Sequence, residues 1–145
     1  MHGWRADIED HARRDEISGE DLLHVFFADT ETSQAKGMEF LGRFMQRSED
    51  RDPPSTLEVR EAQYDAVLEW GVPDHAGLQR LTAIRSPTLI LQGDDDLMIP
   101  TKLSHLMAGL IPRAELRIYP DAAHASIFQY PEDAARDVNA FLDQP

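Results

Sequence analysis

The sequence predicts an α/β fold in which a helical region is followed by a β-α-β-α unit with two parallel strands. Two short apolar runs indicate the strands, Thr88–Gln92, which is followed by Gly93 and three aspartates, and Leu116–Tyr119. Helical patterns precede the first run and separate it from the second. A strand, a helix and a second strand in this order form a right-handed crossover unit, whose strands are parallel.

Composition excludes several classes of protein. The 145 residues are enough for one domain with a sizeable core but not for two full domains. Without cysteine, the chain offers no disulfide, no thiolate metal site and no thiol nucleophile. No apolar run approaches the ~18 residues that cross a bilayer, and the N-terminus does not resemble a signal peptide. We expect a soluble, cytoplasmic protein with neither a cofactor nor a metal.

The net charge of −13 bears on the choice of partner. An acidic surface repels phosphate backbones and anionic lipid headgroups, so nucleic acid and membranes are not expected partners. Acidic surfaces commonly serve solubility, and this explanation is favoured over recognition of a basic partner.

The first part of the chain, residues 1–80, is predicted to consist of helices. Ser18-Gly19-Glu20-Asp21 is an approximate capping box that starts a helix of about ten residues. Thr32 or Ser33 is expected to cap the next helix, because apolar residues then recur at three- and four-residue spacing to form one stripe: Met38, Leu41, Phe44 and Met45.

A charged segment with a double proline separates these helices from a third. Ser55-Thr56-Leu57-Glu58 is a regular capping box, and the helix after it has an apolar face of Leu57, Tyr64, Val67 and Leu68. Gly71-Val72-Pro73 ends that helix, and Asp74 can cap a short one.

Two helices complete the β-α-β-α unit. Pro100-Thr101 opens a helix through about Leu110, and Pro131, at a first-turn position, opens a last helix that ends near Leu142. Two parallel strands alone bury too little apolar surface to be stable, because parallel strands are normally covered on both faces within a larger sheet. We therefore expect something to lie beside them.

The candidate chemistry lies after each strand. Asp96 follows the strand-ending Gly93 in a loop, and His124 follows the second strand after a tight turn. A carboxylate can accept the Nδ1 proton of a histidine and stabilise its imidazolium, so Asp96 is the candidate orienting acid and His124 the candidate general base. The other histidines are assigned to ordinary surface: His2, His11, His24, His75 and His105.

Two alternative interpretations of the aspartates stay open. Asp94 to Asp96 could simply form a turn that caps the following helix. More weakly, Asp94 and Asp96 could form an Asp-x-Asp phosphotransfer or magnesium site at a strand end, although Leu97-Met98 is an unusual continuation for such a site.

From about Trp70 to Leu142 the chain resembles the carboxyl-terminal part of an α/β-hydrolase. The resemblance rests on the segments Pro87–Pro100, Ile111–Leu116, Tyr119–His124 and Phe128–Glu132. It implies that Asp96 is the triad acid and His124 the triad base. It also implies two regions, a helical cap or lid over residues 1–80 and the carboxyl-terminal β-α-β-α part of the core over residues 81–145.

The sequence departs from this family's pattern in two respects. Ala123 and Ala125 flank the histidine where the family usually has glycine, which restricts the backbone angles of the loop. In addition, the oxyanion-hole loop is absent. The sequence also has no Gly-x-Ser-x-Gly nucleophile elbow, because that pattern surrounds none of its serines: Ser18, Ser33, Ser48, Ser55, Ser86, Ser104 and Ser126.

The leading hypothesis is therefore a partial α/β-hydrolase fold. Its lineage is that of a serine hydrolase acting on an ester, amide or related bond of a small molecule, and we expect no activity unless a complementing chain supplies the nucleophile. The alternative is a non-catalytic interaction or binding module. It would associate through the open edge of the first strand, most simply as a homo-oligomer.

Overall fold

The computed structural model describes residues 4–144 of the chain. His2 lies outside the described residues. The secondary structure begins with helices and then alternates between strands and helices, in this order: α1 (Ala6–Ala12), α2 (Gly19–Phe26), α3 (Glu31–Phe44), α4 (Leu57–Trp70), α5 (His75–Arg80), a 3-10 turn (Leu81–Ala83), β1 (Thr88–Gly93), α6 (Thr101–Leu110), β2 (Ala114–Tyr119), α7 (Ser126–Gln129) and α8 (Pro131–Leu142). The predicted α/β arrangement, a helical region followed by a β-α-β-α unit with two parallel strands, is confirmed.

The sheet consists of β1 and β2, which are parallel within the described part of the chain. Their register pairs Thr88 with Ala114 and Gly93 with Tyr119, so both strands end at the same level. Because the carboxyl ends of parallel strands lie on one edge, the loops that carry Asp96 and His124 emerge side by side.

Helices cover this small sheet. α6 packs against both strands, whereas α7 and α8 pack against β1. The buried cluster at its centre contains Tyr119, Ala122 and Ala134, with Leu91 and Tyr130 against it. Burial and a hydrogen bond of 2.8 Å to Asp137 raise the pKa of Tyr119 to about 12.

Of the caps predicted for α2, α3 and α4, one is confirmed and two differ. Ser18 and Asp21 form the expected capping box of α2. α3 is capped by Thr30 rather than by Thr32 or Ser33, because the helix begins earlier, at Glu31. α4 begins at Leu57, which makes Thr56 the N-cap residue and places Val59, not Glu58, at the position its side chain can reach.

The apolar faces predicted for two helices are largely exposed. Met38 and Met45 on α3 are 60% and 61% exposed, because α3 packs against α2 through its Gly37 side instead. A Cβ atom on Gly37 would lie 2.5 Å from Leu23 Cδ2, so this close helix approach requires glycine. On α4 Tyr64 is the one predicted face residue that is buried, and its ring packs against Trp4.

Among residues 4–144, the structure contains no helix that is both long and apolar enough to span a membrane.

Replacing Ser18 with alanine is expected to lower the free energy of unfolding by about 1 kcal/mol, because the Asp21 amide loses its cap. The Asp21 carboxylate also loses the hydroxyl donor that lies 2.6 Å away. Ser55→Ala is the matched control and is expected to change stability by less than about 0.5 kcal/mol, since Thr56 is the residue that caps α4. Urea unfolding followed by circular dichroism measures both; equal losses would contradict the assigned caps.

Candidate active site

The structure brings the predicted acid and base together. Nδ1 of His124 lies 2.9 Å from Oδ2 of Asp96. Asp96 is buried, whereas the imidazole side chain is 28% exposed, so one edge of the ring can be reached from solvent. A buried carboxylate behind a partly exposed imidazole is the arrangement that a triad acid and base require.

The carboxylate of Asp96 is surrounded by hydrogen-bond donors. Its Oδ1 accepts from the backbone amides of Met98 and Ile99 at 2.9 and 2.8 Å. Its Oδ2 accepts from His124 and from Nε2 of Gln92, which lies 2.8 Å away. These donors occupy the lone-pair positions of an ionised carboxylate, so Nδ1 of His124 carries the proton and Nε2 has the free lone pair.

Burial alone would raise the pKa of Asp96. The hydrogen bonds from His124, from the Ile99 amide and from Gln92 outweigh burial, and the pKa of the carboxyl therefore lies below its ordinary value. The acid consequently stays ionised at neutral pH, which an orienting acid must do.

Gly93 allows the two loops to meet. A Cβ atom at this position would lie 2.1 Å from the carbonyl oxygen of Ala122, which no side chain can do. Beyond Gly93 the loops are joined by further bonds, because the Asp95 amide donates to that same carbonyl at 2.9 Å and Oδ1 of Asp94 accepts from the Ala122 amide at 3.2 Å. This close contact sets the distance between acid and base.

Alanine is compatible with the histidine loop at both flanking positions. Among the described residues, the non-glycine residues with positive φ are Asp50 and Asp121, so neither Ala123 nor Ala125 requires the left-handed region. The tight turn is made at Asp121, whose φ is 52° and whose residue type tolerates this conformation better than most. The glycines that the family usually has are thus not needed here.

The helical region contacts the base directly. The ring of Phe26, at the end of α2, stacks on the imidazole of His124 with a centroid distance of 5.6 Å and an angle of 21° between planes. The Ala125 amide donates to the Phe26 carbonyl at 2.8 Å. One residue of α2 therefore holds both the ring and the backbone beside the histidine.

A buried polar network also joins the helical region to the histidine loop. The hydroxyl of Ser33 donates to Oε1 of Gln129 at 2.7 Å and accepts from the Ala28 amide at 2.9 Å. Nε2 of Gln129 donates to the Asp121 carbonyl at 2.6 Å. Sequence reasoning missed this network, because its members lie in α3 and α7, which are far apart in the chain.

A second histidine–carboxylate pair lies in the helical region. Nδ1 of His11 is 2.7 Å from Oδ1 of Asp21, a buried residue that the sequence identified solely as a helix cap. Bonds from Ser18 and His11, with the charge of Arg14 nearby, hold the pKa of Asp21 well below its ordinary value. The Arg14 guanidinium also contacts this carboxylate, so His11, Asp21 and Arg14 form an ionic cluster. The expectation that His11 lies on ordinary surface is therefore wrong.

Three of the serines have hydroxyl partners other than His124. The hydroxyls of Ser18, Ser33 and Ser104 donate to Asp21, Gln129 and Gln92. In the part of the chain that the structure describes, no serine is hydrogen-bonded to His124. The Asp94 and Asp96 oxygens likewise accept from protein donors, and residues 4–144 contain no cluster of three or more metal-ligating side chains.

Comparisons with known proteins agree with this geometry. A family model described as the alpha/beta hydrolase fold matches residues 8–131. Over 94 residues the chain is 27% identical to a 2-hydroxy-6-oxo-6-(2'-aminophenyl)hexa-2,4-dienoic acid hydrolase of Metapseudomonas resinovorans, a match covering 62% of this chain and 32% of the relative. Over 82 residues it is 41% identical to a poly(3-hydroxyalkanoate) depolymerase of Ectopseudomonas oleovorans, covering 57% of this chain and 27% of the relative.

A solved structure matches nearly the whole chain. An alpha/beta hydrolase fold protein from Chitinophaga pinensis superposes with a TM-score of 0.87 at 34% identity, covering 99% of this chain and 53% of that protein. The chain thus spans about half the length of this structure and about a third of the length of the curated relatives.

Asp96→Asn is expected to destabilise the chain by about 2 kcal/mol at pH 7, because a carboxylate that accepts four hydrogen bonds is replaced by an amide. Since the folded pKa lies below the unfolded one, the contribution of Asp96 is complete above about pH 4 and is lost as pH falls through the folded value. The difference between variant and parent should therefore shrink towards pH 3 in urea unfolding. Asp95→Asn, at an exposed neighbour, is the control, and a loss equal to that of Asp96→Asn would contradict the argument.

Proposed function

Because this chain belongs to the α/β-hydrolase fold family, we propose that it supplies the acid and base of a serine-type hydrolase. The observation that carries the proposal is the hydrogen bond between Nδ1 of His124 and the buried carboxylate of Asp96, which accepts four hydrogen bonds in total. Asp96 orients the ring, and Nε2 of His124 is the proton acceptor. The proposal includes the cytoplasmic location expected from the sequence.

The chemistry proposed for this pair is acyl transfer. Nε2 of His124 removes the proton of a serine hydroxyl as its oxygen attacks the carbonyl carbon of the substrate, and the imidazolium is stabilised by the Asp96 carboxylate. The imidazolium then protonates the leaving group, and the acyl group stays on the serine. Nε2 of His124 next removes a proton from a water molecule that attacks this acyl group, and the serine is reprotonated as the carboxylic acid product leaves. The serine and the oxyanion hole belong to polypeptide outside these 145 residues, in the same protein or in another chain.

Residues 1–80 are proposed to act as the cap of this site. Phe26 on α2 stacks on the proposed base, and Ser33 on α3 is bonded to Gln129 beside it, so the helical region forms one wall around His124. A wall of this kind selects small substrates by shape. We propose an ester, amide or related bond in a small molecule as the substrate, in keeping with the name of the acid hydrolase among the relatives.

The isolated chain is expected to show no labelling of any serine by a fluorophosphonate probe, because no hydroxyl is activated by the imidazole. Adding the segment of the Chitinophaga pinensis protein that the match leaves uncovered should restore both labelling and hydrolysis of p-nitrophenyl acetate. Asp96→Asn and His124→Ala should each lower that restored rate by roughly 10⁴-fold.

His105→Ala is the matched control, because His105 is an exposed histidine of α6 and should leave the restored rate unchanged. Stoichiometric labelling of a serine in the isolated chain would show that this chain contains its own nucleophile and would overturn the proposal.

One observation favours a second candidate function, an interaction module that associates through β1. The Thr88 amide donates at 3.0 Å to the carbonyl of Arg113, the residue just before β2, and the Asp94 amide donates at 3.1 Å to the carbonyl of Tyr119, so alternate residues point their backbone groups towards β2. The backbone groups of Leu89 and Leu91 therefore point to the opposite edge, and within residues 4–144 no strand pairs there. An unpaired edge of this kind is a template for another strand.

If this edge associates, light scattering at micromolar concentration should give a dimer or larger species, and hydrogen exchange should show the Leu89 and Leu91 amides protected. Leu89→Pro removes an amide on the open side and introduces a residue that edge strands use against pairing, so it should return the chain to a monomer. A monomer in which the Leu89 and Leu91 amides exchange freely would eliminate association through β1.

A further inference from the structure

Gln92 is a buried amide directly behind the acid. It lies on β1 and is 8% exposed. Its Nε2 donates to Oδ2 of Asp96 at 2.8 Å and to the Ile99 carbonyl at 3.2 Å. Its Oε1 accepts from the hydroxyl of Ser104, a buried residue of α6, at 2.9 Å. The sequence alone assigned neither Gln92 nor Ser104 a role in the site.

The partners determine which way the amide of Gln92 faces. The Asp96 carboxylate and the Ile99 carbonyl can accept but not donate, so the end of the amide that faces them is the NH₂ group. The opposite end is then the carbonyl oxygen, which needs a donor, and Ser104 supplies one. Rotating the amide by half a turn would place two acceptors against each other at the carboxylate, which a buried site does not tolerate.

Gln92 also holds the second oxygen of the carboxylate. The two backbone amides bond Oδ1 of Asp96 and make no hydrogen bond to Oδ2. Oδ2 is held by Gln92 on one side and by His124 on the other. Without Gln92, the lone remaining partner of Oδ2 is the partly exposed imidazole itself.

We propose that Gln92, oriented by Ser104, is a positioning residue that keeps Oδ2 of Asp96 aligned with Nδ1 of His124. This inference rests on the proposed function, since it assigns Gln92 a role through the acid–base pair. A merely structural Gln92 would fill space and join β1 to α6. The two roles differ in what happens at the imidazole when the hydrogen bond is removed and the volume is kept.

The test uses Gln92→Met in the full 145-residue chain, with the histidine ring nitrogens followed by ¹⁵N NMR. In the parent chain His124 should be the Nδ1-protonated tautomer with a downfield Nδ1 proton resonance. In the variant that resonance should be lost and the two tautomers should mix, while the circular dichroism spectrum is retained. The titration midpoint of the Asp96 carboxyl should move upward, because a hydrogen bond to the charged form has been removed.

Thr101→Val is the matched control, because it removes a neighbouring bond of 2.7 Å from Thr101 to the Gly93 carbonyl without touching Asp96. It should leave the tautomer unchanged. If Gln92→Met does not fold, Ser104→Ala is the milder variant, and it should produce the same mixing to a smaller extent. An unchanged tautomer in a folded Gln92 or Ser104 variant would overturn the inference.

Asp96→Asn separates this inference from the proposed function. If Asp96→Asn also leaves the imidazole unchanged, the acid–base pair is not formed in solution and the proposed function fails. If Asp96→Asn abolishes the Nδ1 resonance but Gln92→Met does not, the pair stands and the positioning role of Gln92 is wrong.

Discussion

A charged carboxylate buried at the end of a strand has to be surrounded by donors, and this requirement shapes the site. Asp96 meets it with two loop amides, one amide side chain and one imidazole. These four donors come from three parts of the unit: the loop after β1, β1 itself, and the loop after β2. Losing any one leaves a lone pair of the buried carboxylate without a donor, which is why the geometry of the acid depends on the whole unit.

The parallel pairing of β1 and β2 makes that convergence possible. Their shared register ends both strands at one edge, and Gly93 lets the two following loops come into backbone contact. The helical region adds a second constraint, because Phe26 and the bond between Ser33 and Gln129 hold the histidine loop from the other side. Acid and base are thus positioned by separate sets of contacts that meet at a single hydrogen bond.

The same structure leaves much apolar surface uncovered. A two-stranded parallel sheet is normally part of a larger one, and the chain spans about half the length of the solved relative that it matches. Large apolar side chains are exposed on both the helical region and the β-α-β-α unit, among them Met38, Phe44, Trp70, Ile99, Leu103, Leu106 and Phe128. Surface of this kind is typical of a region that packs against further polypeptide.

The sequence by itself determined the fold class, both strands, the order of most helices and the places of Asp96 and His124 after the strands, because strand periodicity, caps and loop residues are local signals; it did not predict α1 or α7. It misplaced the caps of α3 and α4 and the buried faces of both helices, because what a helix buries depends on its neighbours. Tertiary structure alone decided that Gln92 and Ser104 support the acid, that Phe26 stacks on the base, and that Asp21 holds His11. Apart from Gln92 and Asp96, which are four residues apart, these contacts join residues distant in the chain, so packing in three dimensions selects them.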